Sequence, residues 1–227
     1  MACSPAPHNS ILFMKQLSLP GLEFQLKKRW AYPYKWFRKQ NNCWDSSTNF
    51  IYETEDWEIL QAQILATSKK LKIDDNELFN YAINRWYNFW SAIGVEQIFT
   101  EIEGIEPAID FRNRLVDFTL FGIDFDHKTS VFPKYLRNDL VRARSREGHL
   151  IEWLYKNQSD QNRLHLSNRL YIVVYDSNGE HWKLKAELGL LKREIQKYAA
   201  RFSPAQLHSF TFAEDTKTLS DIIWVAR

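Results

Sequence analysis

The stretch Leu115–Pro133, LVDFTLFGIDFDHKTSVFP, sets Asp117, Asp126, His127 and Lys128 on two apolar, β-rich runs around Gly122. Side chains alternate across a strand, so Asp126 and Lys128 share one face and His127 takes the other. A hairpin turning at Phe121–Gly122 places Asp117 opposite Asp126; one turning at Gly122–Ile123 places it opposite Lys128. Either register keeps Asp117, Asp126 and Lys128 on one face, and a one-residue bulge would undo that convergence. Two neighbouring carboxylates repel one another unless a cation or a proton lies between them. Mg²⁺ takes oxygen ligands, often one or two carboxylates completed by phosphate oxygens and water. A lysine beside them can orient or deprotonate an attacking water, or stabilise charge developing on a phosphate. The chemistry this group suits is metal-assisted hydrolysis of a phosphodiester. A D-x-K triplet alone is most often a solvated ion pair. Here Asp117 stands in the preceding strand, with a helix upstream and a helix followed by an apolar strand downstream.

Those elements are legible as patterns. Trp57, Leu60, Ile64 and Leu71 predict a helix over 55–71, and Phe79, Ile83, Trp86, Trp90 and Ile93 predict a second over 76–93, stopped at Gly94. Residues 95–110 are expected to hold a strand, and the two runs around Gly122 a hairpin. A helix is expected over 149–166, then RLYIVVYD (169–176) as a buried strand closed by the turn SNGE. Residues 182–202 read as a short strand entering a long helix, and LHSFTF and DIIWVAR as final strands. The first 49 residues read as irregular. The expectation is one compact chain, with an N-terminal arm and helical extension over 1–75 and a core over 76–227.

The order helix, strand, VDFTLF, FDHKTS, helix, LYIVVYD resembles the PD-(D/E)XK nuclease superfamily over roughly 76–176. The resemblance implies an α/β fold: a restriction-endonuclease-like mixed β-sheet core flanked by helices, with an N-terminal helical extension. It also implies that Asp117 is the lone motif aspartate and that Asp126 and Lys128 form the (D/E)-x-K pair. Asp117 and Asp126 would bind Mg²⁺, with Mn²⁺ an alternative, the backbone carbonyl of His127 would add a ligand, and Lys128 would assist the attacking water. Val116 stands where the family pattern has proline. An acidic residue on the first core helix is part of the pattern; Glu77 is the best-placed candidate, and Glu96 and Glu101 compete with it. Gln158 or Gln161 resembles a glutamine that some members carry on the helix after the lysine strand. The activity implied is that of a Mg²⁺-dependent DNA endonuclease, resembling type II restriction or related defence and homing enzymes. Its substrate would be double-stranded DNA and its working form a homodimer. A non-cleaving nucleic-acid-binding protein of the same fold is the alternative, and a structural ion-pair cluster the plainest reading of the three charges.

Three stretches add to the nucleic-acid reading. KKRWAYPYKWFRK (27–39) interleaves six cations, Lys35 and Arg38 among them, with five aromatics. Cations on phosphates and exposed rings on unpaired bases would bind a polynucleotide, whereas the same stretch could be an arm packed on the body. Arg137, Arg142, Arg144 and Arg146 follow shortly after Lys128 and suit phosphates. Gln158, Gln161 and Arg163 could hold a water or phosphate, or read base edges. Composition narrows the rest. Lys and Arg exceed Asp and Glu by only two, so any basic surface is local. Two cysteines cannot build a disulfide framework or a cysteine-ligated zinc or iron–sulfur centre. The chain shows no glycine-rich phosphate loop, HExxH or G-x-S-x-G. Neither a secretory leader nor an apolar run long enough to span a bilayer is evident, so a cytoplasmic protein without a membrane partner is expected.

Overall fold

The computed structural model describes residues 16–40, 42–108, 115–157, 166–213 and 216–227. The chain packs as two compact units, Met1–Gly94 and Val95–Arg227. Residues 76–94 thus group with the N-terminal ones rather than with the sheet.

The first unit is helical. Helix α1 (Leu19–Lys28) starts where the Ser18 hydroxyl accepts from the Gly21 amide, with Pro20 in the first turn; α2 covers Asn42–Ser47. Much of the stretch expected to be irregular is therefore helical. Pro20-Gly21 reads as a turn, yet proline in a first helical turn loses no hydrogen bond. Helix α3 (Trp57–Leu71) is capped by Asp56, and α4 runs from Asp75 to Thr100. Trp57, Leu60, Ile64, Ile83, Trp86 and Trp90 are buried, as their spacing predicted, whereas Leu71 is exposed. Helix α4 does not stop at Gly94. Val95, Ile98 and Phe99 are buried beyond it and continue the apolar stripe, which outweighs the local cost of a glycine.

The second unit is a mixed α/β layer structure built on six strands. They are β1 (Ile105–Pro107), β2 (Phe118–Leu120), β3 (Ile123–Val131), β4 (Arg169–Tyr175), β5 (His208–Ala213) and β6 (Thr216–Ala226). Their order is β1-β2-β3-β4-β6-β5. The first three form an antiparallel meander, β3, β4 and β6 run parallel, and β5 returns antiparallel on β6. Helices α5 (Leu140–Arg144) and α6 (Glu147–Asn157) cross from β3 to β4, and α7 (Leu188–Ala199) follows β4.

The two faces are covered by different helices. Leu150, Ile151 and Leu154 of α6 pack with Phe132, Tyr171, Val173 and Ile222. Alternation turns Asp221 to the other face from Ile222, and the Tyr198 hydroxyl of α7 donates to Asp221 there. Strand β4 is buried from Arg169 to Val174, as expected for a parallel strand covered on both sides. Of residues 95–110, the described ones, 95–108, hold a helix end and a three-residue strand. The short strand expected before α7 is a 3₁₀ turn, His181–Ala186.

Candidate functional site

The hairpin carrying the charges turns at Phe121–Gly122, with Phe118 opposite Phe125, Thr119 opposite Asp124 and Leu120 opposite Ile123. Both turn residues have positive φ, 48° and 78°, the geometry that matches the right-handed twist of the flanking strands. Of the two registers open to the sequence, this is the one that sets Asp117 against Asp126.

The ladder slips by one residue just there. The Asp117 amide donates to the Phe125 carbonyl at 2.8 Å although Phe125 is the ladder partner of Phe118. Two residues facing one is a bulge, and a bulge re-aims a side chain. The Asp117 carboxylate accordingly reaches across the strand. Its Oδ2 accepts from the His127 backbone amide at 2.8 Å and from His127 Nδ1 at 2.6 Å. The charge of the Asp126 carboxyl lies close enough for the two aspartates to act on each other. Asp117 thus bridges the two faces instead of lying wholly with Asp126 and Lys128.

Both aspartates of the cluster have a cationic partner. Asp126 Oδ2 accepts from Arg169 Nε at 2.6 Å, and the Arg169 Nη2 group closes on the same oxygen. Parallel pairing sets Asp126 beside Arg169 and Lys128 beside Tyr171, so these four share the α6 face. Burial raises the Asp126 carboxyl, and Asp117 adds to the rise against the pull of Arg169. Burial also acts to raise Asp117, but the His127 charge and its hydrogen bonds prevail and bring it well below the carboxylate range. For the His127 ring, burial is overridden by Asp117, which pushes the imidazole up to about 9. The ring is 6% exposed and packs near Phe99 and Phe118, so it is a packed strand histidine. Burial and the nearby Arg169 charge bring the Lys128 amine down to about 8. Glu96, half-buried near the end of α4, is raised to about 7 by burial, against His127 and with Asp117.

The remaining candidates fall as follows. Among Glu77, Glu96 and Glu101, the acid whose charge acts on Asp117 and His127 is Glu96. Glu77 pairs with Arg38 at 2.9 Å in the first unit, and Glu101 pairs with Lys192 at 2.7 Å. Much of the arm 27–39 packs on its own unit. Tyr32 lies tilted against Trp57 and edge-on to Phe79, Trp36 meets Tyr81 edge-on, and Arg38 lies 4.2 Å from the Trp44 ring centre. Lys35 is exposed. Arg142, Arg144 and Arg146 are exposed and form no ion pair among the described residues. Arg142 and Arg146 line a pocket of about 150 Å³ with Tyr135 and His149. Gln158, Gln161 and Arg163 lie outside the described residues.

Two features escaped the sequence reading. Arg169 heads a buried strand, and only the β3–β4 register reveals its partner. Asn168 clamps three strands together: its amide donates to the Asp124 carbonyl, its carbonyl accepts from the Asp126 amide, and its side-chain oxygen accepts from Leu219 N. A second cluster, Glu147, His208 and Asp221, brings its ligand atoms within 4.8 Å of one another. Its carboxylates are already engaged. Asp221 accepts from Tyr198, Gln206 and the Ile222 amide, and Glu147 from the Trp224 indole.

Asp117, Asp126 and nearby Glu96 offer oxygen atoms, the kind of donor a hard divalent cation takes rather than a soft one. Comparison with protein-family models, curated proteins and solved structures returns no match for this chain.

Proposed function

We propose that this chain is a Mg²⁺-dependent DNA endonuclease of the restriction-endonuclease-like fold, with Mn²⁺ an alternative cation. The observation that carries the reading is the hairpin register that sets Asp117 against Asp126 at its open end, with Lys128 two residues on and the charges of the two carboxylates acting on each other. The element order supports it: a helix end, a three-stranded meander, a helical crossover and a parallel fourth strand, the order of the PD-(D/E)XK core. Asp117 and Asp126 would hold the cation, and the His127 carbonyl and Glu96 would complete its protein oxygens. A bound Mg²⁺ supplies charge stabilisation at the phosphoryl oxygens. Lys128, with an amine near 8, is partly unprotonated close to neutrality and can take a proton from the attacking water. The exposed arginines 142, 144 and 146 would lie along the phosphate backbone. Two copies related by a twofold axis would cut both strands.

Incubating the purified chain with Mg²⁺ and plasmid DNA, then sequencing the ends, tests the proposal. Cleavage is expected, and Asp126→Asn should abolish it while DNA affinity persists. Cleavage by wild type equalled by Asp126→Asn overturns the site. Salt-sensitive DNA binding with no cleavage under any divalent cation selects the non-cleaving alternative.

A further inference from the structure

Arg169 sits on Asp126, one of the two carboxylates that would hold the cation. Its guanidinium puts two nitrogens on Asp126 Oδ2, and its side chain is 10% exposed. The rings of Tyr155 and Tyr171 flank it, 5.6 and 5.8 Å from its central carbon. An arginine on a cation-binding carboxylate is at first sight an obstacle, since both compete for the same oxygen. The geometry also shows what the pair does for the chain. Asp117 and Asp126 act on each other and Glu96 acts on Asp117, and among the described residues the cationic partners of the two aspartates are His127 and Arg169. Unpaired carboxylates this close, in a half-buried setting, would repel strongly.

From this arrangement, and resting on the nuclease reading above, we infer that Arg169 is an exchangeable counterion. In the free protein it neutralises Asp126; when Asp117 and Asp126 take up the divalent cation, it turns to a non-bridging oxygen of the substrate phosphodiester. A guanidinium fork matches a phosphate as well as a carboxylate, which a lysine in its place would not. The two tyrosine faces keep the side chain packed in both positions. Cation and polynucleotide are thereby coupled: each relieves a charge that the other's binding sets free. Linkage then requires DNA to tighten the divalent cation by the same factor by which the cation tightens DNA.

The test uses Arg169→Gln in the full chain, with Mg²⁺ affinity read by calorimetry and by the rise in melting temperature. Without its competitor, the variant should bind Mg²⁺ roughly tenfold more tightly than wild type and gain more melting temperature from Mg²⁺. The mutual tightening of Mg²⁺ and duplex DNA should shrink towards none, and cleavage should fall. Arg169→Lys, which keeps a charge without the fork, should retain the competition for Asp126 but lose most of the coupling. It also serves as the probe if Arg169→Gln melts too low to titrate without Mg²⁺. Arg169→Gln binding Mg²⁺ no more tightly than wild type overturns the inference, as does unchanged coupling in either variant. Wild type that cleaves DNA while the variants show those results leaves the nuclease reading standing. Wild type that neither binds Mg²⁺ nor cleaves defeats that reading first.

Discussion

The imidazole of His127 shows how one side chain can stabilise a fold while taking no part in chemistry. Asp117 raises it to about 9, above its ordinary 6.5, so the charged ring is favoured in the folded state. A raised pKa contributes stability that is fully present below about 6.5 and is lost as pH rises through about 9. Melting temperature should therefore decline between those values, and His127→Asn should remove that limb while lowering stability near neutrality. A decline unchanged in the variant would place its origin in other groups. Asp117 and Asp126 each have a cationic partner. What alternation along the strands could not foretell is that the partners are His127 and Arg169. The first arises from a bulge invisible in the residue pattern. The second depends on the register between strands 43 residues apart.

At the level of elements, the β2–β3 hairpin decides whether the carboxylates meet. Alternation, Gly122 and apolar runs made it legible, and β4 was legible as an unbroken apolar strand. Helix α1 was obscured by Pro20-Gly21, and the end of α4 by Gly94, because a glycine or proline seen locally carries no record of the packing that overrides it. The turn itself is demanding. Gly122 at φ 78° has open space where a Cβ would stand, so the cost of a side chain there is backbone strain alone. Phe121 bears positive φ without being glycine and stacks on Phe202, with ring centres 5.7 Å apart. Gly122→Ala should lower stability by about 1 kcal/mol and reduce Mg²⁺ affinity by loosening the Asp117–Asp126 pair. A denaturant melt and a Mg²⁺ titration check both, and a variant as stable as wild type would show that the hairpin tolerates another turn.

For the molecule as a whole, net charge offers almost no general attraction to a polyanion, since the chain's formal charge is +2. Any salt-dependent DNA affinity must come from local segments such as the exposed arginines of 142–146. Replacing Arg142, Arg144 and Arg146 with glutamine should flatten the dependence of log affinity on log salt by up to about three phosphate contacts. A slope identical to wild type would make them ordinary surface. The parallel β3–β4–β6 pairing has a consequence in time as well as in space. Asp117 and His127 are ten residues apart, whereas Asp126 and Arg169 are 43 apart, on either side of the helical crossover, and Asn168 reaches Leu219 across 51. Contacts so distant along the chain close late in folding. As the polypeptide leaves the ribosome, the acidic hairpin is therefore made before its arginine and well before the strand that locks Asn168. A half-made chain holds the carboxylates without the scaffold that aims them, and cutting power, on the nuclease reading, arrives only once β6 has paired with β4.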